Sequence, residues 1–259
     1  MLIKRIKNIG QYNQMILIIA LLDFKSRYKN SILGYLWSLL LPLSQFAVLL
    51  FVFSQLMRFE QKHYSLYLLL GIVIWNHFAE STIQGMQIIL SKQHLVQKIY
   101  FPKITLIIAS LLNTTFTFML NIGIFFIFLF YSDISVNIYW ILLIFEFINL
   151  SILIMGISML LSAYFLKFRD IGHIWSIFTQ IGFWLTPVFY LVSMFPANLH
   201  WIFTINPMAR IISESRNIIL YRNPIDFTEI LISFSISTII FIIGYLLFKK
   251  NEGNFAEEF

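Results

Sequence analysis

His77 and Glu80 are two titratable side chains in an otherwise apolar stretch of this chain. A separation of three residues places them on one face of a helix. Such a pair could line a hydrated path, relay protons, or form a buried hydrogen-bonded couple. A metal site would need more ligands, and His63, His94, His173 and His200 all fall in loops or at the ends of apolar runs. Glu146 is a further acid in an apolar run, with no evident partner. Asn113, Thr117 and Asn121 recur every four residues and make one polar stripe. The stripe reads either as interhelical hydrogen bonding or as the lining of a channel. No G-x-x-x-x-G-K-[ST] phosphate loop occurs, so hydrolysis of ATP by that route is excluded. Neither G-x-S-x-G nor H-E-x-x-H occurs. No catalytic residue and no metal ligand set is therefore assigned, and an intramembrane transferase lacks its acid, base and nucleophile.

The elements that hold these groups follow from composition. Of 259 residues, 59% are hydrophobic and 12% charged, with a mean hydropathy of +0.82. A soluble domain carries about 25% charged residues, and a soluble fold of this length could not hide so much apolar surface. The expected fold is an all-α integral membrane protein. Six apolar runs, at 32–57, 65–90, 104–131, 138–166, 171–192 and 227–248, are candidate spans, since crossing a bilayer takes roughly 20 apolar residues. They are too long and uniform for barrel strands. The +6 net charge reads as topogenic and lipid-facing, with no nucleic-acid partner. Residues 15–22 form a shorter apolar run after Lys4, Arg5 and Lys7, without a small-residue cleavage site. They read as an interfacial helix on the cytoplasmic leaflet, not a signal peptide.

Cations orient the spans. With the N-terminus inside, 13 of the 18 Lys and Arg lie on the cytoplasmic side, as the positive-inside rule requires. Both termini are expected in the cytoplasm. One transmembrane domain, 1–259, results: an interface helix over 1–31, six spans within 32–248, and a tail at 249–259.

Two connections exceed what a turn needs. The cytoplasmic loop 91–103 starts at Ser91 and stops at Pro102, with Leu95, Val96 and Ile99 at helical spacing. It reads as a helix flat on the headgroups or one docking on a soluble partner. The outer segment 193–226 contains Asn206-Pro207, an N-cap followed by proline at the first helical position. Beyond it, Met208, Ile211, Ile212, Ile218 and Ile219 share one face, and Arg210, Glu214, Asn217 and Tyr221 the other. Arg210 and Glu214 are expected to pair at i,i+4. This segment reads as an interfacial anchor or as a lid over a pore exit. Tyr64, Tyr67, Tyr131, Tyr139, Trp140, Tyr190 and Trp201 sit near span ends, as interface-belt residues do. Tyr35, Trp37, Trp75, Phe78, Phe183 and Trp184 lie deeper. Their flat faces suit sugar rings, but also lipid contact or core packing.

Several motifs carry a resemblance. Residues 27–37 read R-Y-K-N-S-I-L-G-Y-L-W, followed by Pro42. Then come Gly71 with Trp75 and Phe78, Phe101-Pro102, Phe168-Arg169-Asp170-Ile171, Trp184-x-Thr186-Pro187-Val188-x-Tyr190 and Asn206-Pro207-Met208. In order and spacing they resemble the type-2 ABC transporter permeases that export polysaccharides, of the Wzm-type O-antigen group. The resemblance implies a homodimeric permease in the bacterial inner membrane, with two ATP-binding cassette subunits beneath it, moving a lipid-linked polysaccharide. ATP and Mg would belong to the partner, and this chain would bind no cofactor and be no enzyme. Segment 91–103 would be the coupling helix, through Lys92, Gln93, His94, Leu95, Val96 and Lys98, with Arg169 and Asp170 nearby. Arg27, Tyr28 and Lys29 would form a cytoplasmic gate. Tyr35, Trp37, Trp75, Phe78, Phe183, Trp184 and Tyr190 would line the glycan channel. Short gate helices over 196–222 would place Trp201, Asn206, Pro207, Arg210 and Glu214 at the outer exit. Capsular polysaccharide or teichoic acid are alternative cargoes. An ion-coupled carrier using His77, Glu80 and Glu146 is the alternative mechanism.

Overall fold

The computed structural model describes residues 2–27, 29, 31–56, 61–221 and 226–256, with the side chains of 2–9, 56 and 256 left aside. The described residues are helices and turns, without strands. An apolar chain in a bilayer must satisfy its backbone groups internally, which continuous helices do. Helix α1 (Leu2–Arg27) is followed by α2 (Leu36–Leu50), which a π-turn extends through Phe51–Leu56. Then come α3 (Tyr64–Ser91), the short α4 (Gln93–Lys98), α5 (Ile104–Phe130), α6 (Leu142–Phe165) and α7 (Ile171–Leu185). The segment after α7 folds as α8 (His200–Ile205) and α9 (Pro207–Arg216), and α10 (Phe227–Asn251) closes the bundle.

Among the described residues five helical segments are long and apolar enough to cross a membrane: Leu36–Gln55, Tyr64–Ser91, Ile104–Phe130, Ile138–Phe165 and Phe227–Asn251. The remaining expected span, 171–192, is helical only over the 15 residues of α7. At 1.5 Å per residue that is about 22 Å, less than the ~30 Å hydrocarbon core. Its stop has a local cause. Pro187 pushes the preceding residue out of the helical region, and Thr186 is extended, at φ −91° and ψ 140°.

Helix α3 is the hub, buried over most of its length and packed on α2, α5, α6, α7 and α9. Its polar residues serve helix–helix contact: Ser81 donates to Thr114 at 2.6 Å, and Asn113 to Gln84 at 2.9 Å. Helix α1 lies along α5, with Ile16 and Ala20 against Ala109. Helices α6 and α10 meet most closely where Gly156 faces Gly244, and Asn149 donates to Ser233 at 2.9 Å in the same seam. Lipid supplies no hydrophobic drive between helices, so such seams depend on small residues and close packing.

A Cβ at Gly244 would stand 2.1 Å from the Gly156 carbonyl oxygen, a backbone atom that cannot rotate away. Gly244→Ala is expected to cost about 2 kcal/mol or more, read as a lower melting temperature of the detergent-solubilised protein.

Candidate functional site

The Thr186-Pro187 break leaves a stretch of non-helical backbone inside the bundle, and its carbonyls need donors. Arg216, at the end of α9, supplies two of them: Nη1 donates to Pro187 O at 2.6 Å and Nη2 to Val188 O at 2.6 Å. Nε and Nη2 also donate to Tyr67 O, at 3.1 and 2.9 Å. The guanidinium carbon lies 3.4 Å from the centre of the Tyr67 ring. The tyrosine hydroxyls of α3 complete the set, Tyr64 donating to Phe189 O at 2.9 Å and Tyr67 to Tyr190 O at 2.7 Å. Four successive carbonyls, 187–190, thus each receive a side-chain donor. Gly71 leaves the room, because a Cβ there would sit 2.3 Å from Arg216 Nη2 and 2.7 Å from Val188 O.

Asn206 joins the same construction. Its Oδ1 caps α9 by accepting from Met208 N at 3.0 Å and Ala209 N at 3.4 Å, with Pro207 in the first turn. Its Nδ2 donates to Thr186 Oγ1 at 2.9 Å, so the Asn-Pro and Thr-Pro motifs meet. Arg216 is not among the residues that the sequence pattern singles out. The available signal was the proline-freed carbonyls, which call for a multi-donor side chain such as arginine. Tyr64, Tyr67 and Tyr190 are buried in this core and not in an interface belt, because the broken backbone recruits the first two as donors. Tyr139 and Trp201 are exposed as expected.

The Arg210–Glu214 couple does not form as anticipated. Arg210 is ion-paired with Glu229 at the start of α10, and its Nε donates to Thr204 O at 2.5 Å. Glu214 accepts instead from Asn217 at 3.3 Å. Both faces of α9 are buried, so it is tucked into the bundle; an amphipathic helix at the interface would leave its polar face in water. The tertiary partner Glu229 outcompetes the helical neighbour.

A polar cavity of about 290 Å³ opens between the end of α1 and helices α2, α3 and α5. Arg27, Asn76, His77, Glu80, Thr117 and Asn121 line it. Arg27 is ion-paired with Glu80, and Gln84 donates to the same carboxylate at 3.0 Å. Asn121 donates to Ser38 O at 3.3 Å and Thr117 O at 3.0 Å. The 113–117–121 stripe therefore both bridges helices and lines a cavity. His77 does not engage Glu80; its Nδ1 is 3.2 Å from Ser81 Oγ, and its ring stacks on Phe118 at 4.4 Å. Glu146 lines a separate, apolar cavity of about 300 Å³ between α3, α5, α6 and α9. Among the described residues no three His, Cys, Asp or Glu gather as a metal site.

The seven aromatics assigned to the channel divide. Trp75, Phe78, Phe183 and Tyr190 are buried within the chain, while Tyr35, Trp37 and Trp184 are exposed. Tyr35 stacks on Phe24 of α1 at 4.7 Å. Trp75, Phe183 and Trp184 border a cleft of about 370 Å³ between α2, α3 and α7, beside Gln45, Asn76 and Gln180.

The helix expected over 91–103 is shorter, bounded by Lys92 and by Ile99, which is extended at φ −128° and ψ 132°. Lys92 pairs with Asp23 of α1 at 2.5 Å. Val96 is buried and Leu95 packs against the same apolar cluster. Gln93 is half-buried, whereas His94, Lys98, Ile99 and Tyr100 are exposed. Lys29, Arg169 and Asp170 are exposed, and Arg169 lies 5.5 Å over the Phe165 ring. Tyr28 lies outside the described residues. Beyond α10, burial would raise the Glu252 pKa, but hydrogen bonds from Lys249 and from the Lys103 amide hold it below the usual carboxylate range.

The sequence model of the ABC-2 type transporter family matches residues 14–220. Curated relatives agree. An O-antigen export system permease protein RfbA of Klebsiella pneumoniae is 29% identical over 258 residues, covering 99% of each chain. A second protein of that name from the same organism is 29% identical over 96% of each chain. An RfbA of Myxococcus xanthus is 24% identical over 99% of each.

Arg216→Lys is expected to destabilise the protein by about 3 kcal/mol or more, since one ammonium cannot replace a fork serving three carbonyls; thermal denaturation and the yield of inserted protein measure it. In a double-mutant cycle, Arg27→Ala and Glu80→Ala are expected to show a coupling of about 1 kcal/mol, as both side chains are about a quarter exposed.

Proposed function

The chain belongs to the ABC-2 type transporter family, and from that premise we propose that it is the membrane-spanning permease subunit of an ATP-driven exporter of lipid-linked O-antigen polysaccharide. The observation that carries this reading is the end-to-end similarity to permeases named for O-antigen export. Those relatives favour O-antigen over capsular polysaccharide or teichoic acid as cargo.

Energy comes from outside the chain. ABC-2 permeases work with an ATP-binding cassette subunit, and here two such subunits would hold the ATP and Mg, leaving this chain as a transport subunit and not an enzyme. The protein resides in the bacterial inner membrane with both termini in the cytoplasm. It crosses six times, with α7 and the turns over 186–190 completing the fifth crossing.

A second copy of the chain completes the channel. Helix α2 exposes Leu36, Trp37, Leu40 and Leu41, and α7 exposes Ile174, Ile177, Ile181 and Trp184. These faces flank the cleft that carries Trp75, Phe183 and Trp184, where a sugar chain would slide on aromatic surface between protomers. The Arg27–Glu80 pair closes the cytoplasmic end of the polar cavity. Helices α8 and α9 gate the exit. The partner's ATP-driven closure pushes on α4 and on the Arg169-Asp170 turn.

Co-expression with a candidate ATP-binding cassette subunit should give a stable complex, and deletion of the chain should strand glycan in the cytoplasm; reproducible absence of any complex would sink the reading. Because Leu95 and Val96 pack inside the chain, the informative surface variant is Ile99→Asp with Tyr100→Ala. It should lower complex formation roughly tenfold or more, as loss of exposed anchor residues does, at an unchanged melting temperature.

A further inference from the structure

The chain beyond α10 folds back on the loop that carries α4. Glu252 Oε1 accepts from the backbone N–H of Lys103 at 2.8 Å, where α5 begins, and Oε2 accepts from Lys249 at 2.6 Å. A turn at Asn254–Ala256 follows. It places Phe255 in full burial, with its ring 5.3 Å from that of Phe248. Phe255 shares one apolar cluster with Val96, Phe101 and Leu166. Val96 is the buried residue of α4, so the inner side of α4 rests on surface that the C-terminal turn helps to build. At its other end, α10 presents Glu229 to the buried Arg210 of α9. A continuous helix of 25 residues, about 37 Å long, thus has a polar lock at each end.

We propose that the C-terminal turn is a positioning element of the coupling apparatus. Glu252 and Phe255 hold α4 at the angle at which it meets the ATP-binding partner, and α10 ties that position to α9 through Glu229 and Arg210. The physical basis is twofold. A six-residue helix with one buried side chain has too little packing of its own to transmit force. Packed cores and rigid helices with fixed ends pass a displacement on instead of absorbing it.

This inference rests on the proposed permease function, and the test separates the two. The full chain is purified in complex with its ATP-binding subunit and reconstituted, and glycan exported per ATP hydrolysed is measured. Glu252→Ala and Phe255→Ala should lower that ratio roughly three- to tenfold, the range found for residues that modulate coupling. Glu252→Gln, which still accepts from Lys103, and Phe255→Leu, which still fills the cluster, should restore it. Glu229→Ala combined with Glu252→Ala should lower the ratio no further than either alone. Alanine variants that reduce the amount of protein but keep the wild-type ratio would overturn the inference, as would conservative variants that fail like the alanines. Additive loss in the double variant would overturn the tie through α10. A wild-type chain that forms no complex would overturn the proposed function itself.

Discussion

A proline-broken helix inside an apolar bundle must find donors for the carbonyls it frees, and Arg216 meets that requirement here. Removing a guanidinium from water costs several kcal/mol even after relaxation. Four hydrogen bonds to backbone oxygens and the face of Tyr67 offset that cost. Other features follow from it. Gly71 must lack a side chain, Tyr64 and Tyr67 must turn inward, and α9 must lie within reach of α3 and of the end of α7. Asn206 then fixes the start of α9 against Thr186. Motifs far apart in the chain are thereby the parts of one joint between α3, α7 and α9.

The joint stands at the N-terminal end of the hub helix, and a second lock stands in its C-terminal half, where Glu80 of α3 holds Arg27 of α1. Lys92 and Asp23 add a third tie between α1 and the α4 loop. Helix α3 is thus covered on most sides, whereas α2, α5, α7 and α10 each leave apolar side chains uncovered.

His77 and Glu80 show the limit of spacing arguments. They do lie on one side of α3 and border one cavity. Yet Glu80 is claimed by Arg27 and Gln84, and His77 by Ser81 and Phe118. Glu146 lies across the bundle in an apolar cavity. Groups that looked like one titrating set are thus divided among separate partners. Arg210 repeats the lesson, since a carboxylate on another helix displaced the neighbour four residues away.

Composition and apolar run length, read from the residues alone, determined that this is an all-helical membrane protein and placed five of its long apolar helices, because these depend on local chemistry: hydrocarbon length and backbone satisfaction within each helix. The motif order also carried the family. Which aromatics are buried, which carboxylate answers which cation, and that Arg216 sits at the centre of the outer joint were decided only by the tertiary structure. Those outcomes depend on contacts across the bundle between residues on different helices, and no periodicity within one helix encodes them.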